Sequence, residues 1–135
     1  AGWKSIAGTT DFGEISKGES EGCKLAFDIV VDKILGYVAS YYVRLNGEVD
    51  ALVFAGGIGE KGDKLRKAVV DGVRCLGFKI DESKNSSPGD GIVVDIGAQD
   101  SKHKVLVCQT DEQLEMARGC MAEADTYRAD KKGSA

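Results

Sequence analysis

The longest regular pattern in this 135-residue chain runs from Gly22 to Leu45. Polar or small residues recur there at every fourth position, Lys24, Asp28, Asp32, Gly36, Ser40 and Arg44, and apolar residues fill most of the rest. That spacing predicts a helix with one narrow polar seam. A helix so apolar needs cover on most sides, from its own domain or from a partner, and Asn46-Gly47 ends it. Upstream, residues 1–21 are polar and rich in glycine, a loop with room for a short helix after it.

Downstream the period changes. Asp50-Ala-Leu-Val-Phe54 is a short apolar run bounded by turn residues, which predicts a buried parallel strand. It runs directly into the glycine loop Ala55-Gly56-Gly57-Ile58-Gly59-Glu60-Lys61-Gly62. A helix follows, with Asp63 as its N-cap, Leu65, Ala68, Val69, Val73 and Leu76 on one face, and Gly77 as its stop. Phe78–Ile80 reads as a short strand, Asn85–Gly91 as a loop, and Ile92–Ile96 and Val105–Cys108 as two more strands. The last helix opens on a capping box, Thr110-Asp-Glu-Gln113, and carries an apolar stripe of Leu114, Ala117, Met121 and Ala124. Helix, strand, helix, strands, helix is the order of an α/β domain, expected over residues 1–125. Residues 126–135 form a polar, frayed tail.

Composition narrows the function classes. Hydrophobic residues make up 42% and charged residues 30%, as in an ordinary globular domain. A net charge of −4 argues against a nucleic-acid partner. The apolar helix carries Lys24, Asp28, Asp32, Lys33 and Arg44, which argues against a membrane span. Cys23, Cys75, Cys108 and Cys120 form no CxxC pair and sit among apolar neighbours. They read as reduced core thiols, and so as a mark of a cytoplasmic protein. The start, Ala1-Gly2-Trp3-Lys4, is unlike a signal peptide, and the lack of an initial Met suggests a piece of something longer.

Three places have chemical potential. Glycines let the backbone at Gly56-Gly57-x-Gly59 approach a ligand, although a tight strand-to-helix turn without a ligand has the same composition. The spacing matches neither GxGxxG nor the P-loop. A dinucleotide-binding redox domain would also need an acid about 20 residues further on, where Arg74–Ile80 fits poorly. Glu112 follows a strand in the first turn of a helix. It complements the helix dipole, worth a few tenths of a kcal/mol up to about 1, or else it is a ligand for a hard cation. Asp11-Phe12 is either a carboxylate beside a base-stacking ring or a capping aspartate beside a core phenylalanine.

Taken together and in order, these segments resemble the acetate kinase family. The phrase Asp50 to Glu60 is similar to that family's signature around its adenosine-binding loop, and the likeness continues through Arg66, Leu76-Gly77-Phe78 and Asp81–Asn85. Ile6-Ala7-Gly8 and Thr10-Asp11-Phe12 match upstream; Asp100-Ser101, Val105–Val107, Thr110–Leu114 and Ala117-Arg118 match downstream. The resemblance implies the C-terminal half-domain of the sugar kinase, actin and heat-shock ATPase class. It implies contacts to ATP or ADP from Asp11, Phe12, Gly13, Gly57, Ile58, Gly59, Glu60 and Lys61, and Mg2+ held by Glu112. It also implies a homodimer and reversible phosphoryl transfer between ATP and acetate, giving acetyl phosphate. Gly13 and Lys61 depart from the family's usual Arg and Asn, which removes one cation near the nucleotide and adds another. The family's catalytic arginines, histidine and aspartate lie upstream of this segment, so no catalytic residue is expected here. His103, between Lys102 and Lys104, reads as a surface residue. A non-catalytic interaction domain with the same fold is the alternative, as is a kinase for propionate or butyrate.

Overall fold

The computed structural model describes residues 6–9 and 11–109. Helix α1 (Phe12–Lys17) begins where Asp11 Oδ1 accepts the Gly13 amide at 2.9 Å, and it stops at Gly18, whose φ is 64°. Helix α2 (Glu21–Arg44) is capped by Ser20, whose Oγ accepts the Cys23 amide. Each cap satisfies an amide that the first turn of a helix leaves without a partner. Asn46 and Gly47, with φ of 56° and 74°, then turn the chain away.

The polar seam of α2 faces outward along its whole length. Its opposite side buries Cys23 and Ala26 and packs Phe27, Val31, Leu35, Val38 and Tyr42 towards the core. That stripe uses only part of the apolar surface: Leu25, Tyr37, Tyr41 and Val43 stay 54–75% exposed.

Strand β1 (Ala51–Ala55) leads into α3 (Gly56–Lys61) and α4 (Asp63–Gly72), then a 3-10 turn (Arg74–Leu76) and α5 (Glu82–Ser86). Strands β2 (Val93–Asp95) and β3 (Lys104–Cys108) complete a sheet of order β1-β3-β2. β1 and β3 are parallel, whereas β2 and β3 are antiparallel. Register pairs Leu52 with Val105 and Phe54 with Val107, which sets one face of the sheet. That face joins Leu65, Val69, Val70 and Val73 of α4 with Phe78 and Ile96 in the core.

Several expectations shift. β1 is parallel as expected but buried on one face only, since Val53, pointing the other way, is 52% exposed. Phe78–Ile80 makes a single antiparallel bridge, Ile80 to Gly97, because Gly77 (φ 101°) turns Phe78 into the core instead of along a ladder. The loop expected from Asn85 loses its first two residues to α5, which Asp81 caps through the Lys84 amide. Asp63 is the first residue of α4, not its cap. The preceding helix runs up to Gly62, which takes the cap position.

Two residue readings are corrected. His103 is buried, not on the surface: its ring packs against those of Tyr42 and Phe78, with centroids 5.5 and 5.0 Å away. The Tyr42 hydroxyl is 3.2 Å from the Leu76 carbonyl, which can only accept, and 3.0 Å from His103 Nε2. With its one proton given to Leu76, the tyrosine oxygen accepts from Nε2–H. β3 begins at the next residue and carries His103 inward between two lysines that point out. Among the cysteines, Cys23 is a core thiol, but Cys75 is exposed on the 3-10 turn and Cys108 is half-buried. Cys120, the helix expected from Thr110, Glu112 and the tail at 126–135 lie outside the described residues.

Candidate functional site

The parallel pairing sets Ala55 beside Cys108 at the carboxyl ends of β1 and β3. In α/β sheets that end is where ligands gather. The stretch read as a glycine loop is here a short helix, α3, that starts one residue past the strand. Gly56 makes the turn with φ 77°, a conformation that costs a residue with a side chain about 1–2 kcal/mol.

The glycines that follow have different reasons to be there. A Cβ on Gly62 would sit 2.5 Å from the Ile58 carbonyl oxygen, so packing requires glycine. One on Gly59 would make ordinary contact with Phe54, 3.4 Å away. One on Gly57 would meet no described atom within 4 Å, and its φ is not left-handed. Inside a helix such a position normally favours alanine. Among the described residues, no side chain or backbone packs against Gly57. Ile58, the next residue, is half exposed.

Behind α3 stands a residue that sequence reasoning passed over. Arg66, on α4, is 1% exposed. Its Nη1 donates to the carbonyls of Gly59 (2.8 Å) and Glu60 (2.7 Å). Nε donates to Asn85 Oδ1 (2.7 Å) and Nη2 to the Asn85 carbonyl (2.8 Å). The Asn85 amide in turn donates to the Asp63 carbonyl at 2.8 Å. Burial pushes the guanidinium below its ordinary pKa, and the charge of Asp63 pulls it partly back. The signal was present in the sequence: Arg66 falls on the buried stripe with Val69, Val70 and Val73, where a charge needs an internal partner.

The other expected site residues among those described lie at the start of α1 and the end of α3. Asp11 is exposed and caps α1, and Phe12 stacks on Phe27 with centroids 6.2 Å apart. Gly13 lies in the first turn of α1, which packs on α2. Lys61 is exposed at the end of α3. Among the described residues no group of three or more His, Cys, Asp or Glu side chains gathers to hold a metal. No described helix is long and apolar enough to cross a membrane.

Solved structures share this arrangement. Acetate kinase from Porphyromonas gingivalis superposes with a TM-score of 0.78 at 31% identity, covering 90% of this chain and 31% of that one. A propionate kinase from Francisella tularensis gives 0.74 at 36% identity, covering 84% and 29%. The fold is thus that of the sugar kinase, actin and heat-shock ATPase class. Residues 1–118 match the model of the acetokinase family, and the chain belongs to that family. A probable acetate kinase of Emericella nidulans is 56% identical over 127 residues, covering 89% of this chain and 30% of that protein. One of Neurospora crassa is 44% identical, covering 95% and 34%. The chain therefore spans about a third of the length of the relatives it matches.

Proposed function

We propose that this chain is the nucleotide-binding and dimerisation segment of an acetate kinase, which moves a phosphoryl group reversibly between ATP and acetate. The observation that carries the reading is Gly57 at the carboxyl end of β1, a glycine that packing among the described residues does not require. The chain's family membership supplies the substrate class. In this reading Gly57–Lys61 present backbone to the adenosine, and Asp11, Phe12 and Gly13 contribute a second edge. Acetate is the proposed acceptor because both fungal relatives are probable acetate kinases; the propionate kinase among the structural neighbours marks the alternative acyl group.

The chain's own part is to bind and orient the nucleotide. No residue here is assigned to the acetate side, so no catalytic residue is proposed. Mg2+ held by Glu112 would neutralise charge on the phosphates. The exposed apolar flank of α2 supports a homodimer, and the free thiols Cys23, Cys75 and Cys108 fit a cytoplasmic protein.

In the intact protein, Glu112→Ala should cut acetyl phosphate formation, read as the hydroxamate, by tenfold or more while the melting temperature stays within a few degrees. A collapse of stability with normal activity in the surviving folded fraction would make Glu112 a helix-start charge only. ADP titrated calorimetrically into the intact protein should bind; no heat of binding would favour an interaction domain that kept the fold and lost the ligand.

A further inference from the structure

We propose that Arg66 is the positioning residue of the glycine turn: its guanidinium, held by Asn85, fixes α3 at the height and angle at which Gly57–Lys61 meet the nucleotide. This rests on the nucleotide reading above and adds the part of the protein that holds the turn.

The argument starts from what α3 lacks. Six residues are far too few for a helix to persist alone in water. No side chain caps its N-terminus, and Gly56 and Gly57 add backbone freedom that must be lost. At its far end the Ile58 carbonyl is taken by the Gly62 amide, at 2.8 Å. The carbonyls of Gly59 and Glu60 are the next two, and Arg66 Nη1 takes both. A cation at the carboxyl end of a helix also meets the negative pole of its dipole. This six-residue helix therefore has its last turn held from behind by a buried charge.

The choice of arginine follows from the geometry. Four bonds leave three different nitrogens of one rigid fork and reach acceptors on two separate segments, α3 and α5. A lysine ammonium has three donors at one point and cannot span that pair. All four of these acceptors are neutral oxygens, and Asp63 adds its charge nearby. Asn85 completes the bracket by returning a bond to Asp63 at the start of α4, so that α3, α4 and α5 are locked through two side chains. Movement of α3 would break Arg66 bonds, and movement of α5 would break Asn85 bonds.

The test uses Arg66→Lys and Asn85→Ala in the intact protein, with amide hydrogen exchange read by mass spectrometry and ADP affinity by calorimetry. In Arg66→Lys, exchange across residues 56–62 should speed at least tenfold while peptides from residues 69–73 and 104–108 keep their protection. ADP affinity should fall tenfold or more. Asn85→Ala should move both readouts in the same direction by less, since Nη1 keeps its two carbonyls. Unchanged exchange at 56–62, or acceleration spread evenly over the chain, would overturn the proposal and leave Arg66 as a general core residue. An opened turn with unchanged ADP affinity would overturn it too. If the wild-type protein takes up no ADP, the nucleotide reading fails, and the exchange result alone then decides whether Arg66 holds the turn.

Discussion

The glycines of the site make a series in which folding and binding should separate. Gly57→Ala places a methyl group where no described atom lies within 4 Å and φ is ordinary. Alanine in a helix interior is favoured over glycine by up to about 1 kcal/mol. Gly57 is the second residue of α3, so the gain is smaller, on the order of 0–0.5 kcal/mol. Gly62→Ala drives its methyl to 2.5 Å from the Ile58 oxygen, a backbone atom that is already bonded to the Gly62 amide. Overpacking of this kind costs roughly 1–3 kcal/mol, and each kcal/mol lowers the melting temperature of a domain this size by roughly 4 °C. Thermal melts should therefore leave Gly57→Ala at or slightly above the wild type and drop Gly62→Ala by several degrees. Calorimetry with ADP should show the reverse order: Gly57→Ala loses tenfold or more in affinity, because its methyl occupies the ligand's space. A Gly57→Ala protein that binds ADP as the wild type does would refute the inference from open space to ligand. One that melts early would refute the packing argument itself.

Two further outcomes follow from the fold. Tyr42→Phe should lower stability by about 1–2 kcal/mol, since the Leu76 carbonyl and His103 Nε2 both lose the tyrosine hydroxyl in a part-buried setting, and a denaturant melt with unchanged slope would measure it. A Tyr37→Glu, Tyr41→Glu double variant should turn the proposed homodimer into a monomer in sedimentation without lowering the melting temperature of the folded chain by more than a few degrees, since both rings are exposed; a wild type already monomeric at micromolar concentration would sink the dimer.

Local patterning determined a good deal of this protein. Wherever one face of an element is buried, hydrophobic period is visible along the chain, and so α2, β1 and β3 are found within a residue or two of where the alternation places them. Wording specific to a family did the same for the strand–glycine–helix unit. Tertiary structure decided what depends on neighbours remote in sequence. That Arg66 bonds Asn85, that His103 lies inward against Tyr42, and that Cys75 stays outside are outcomes of how α4, α5 and the sheet pack, and no short window contains both partners. The same holds for the glycines. Composition makes Gly57 and Gly62 look alike, and only the positions of surrounding atoms make Gly62 a packing necessity and leave Gly57 with no described neighbour within 4 Å of an added methyl.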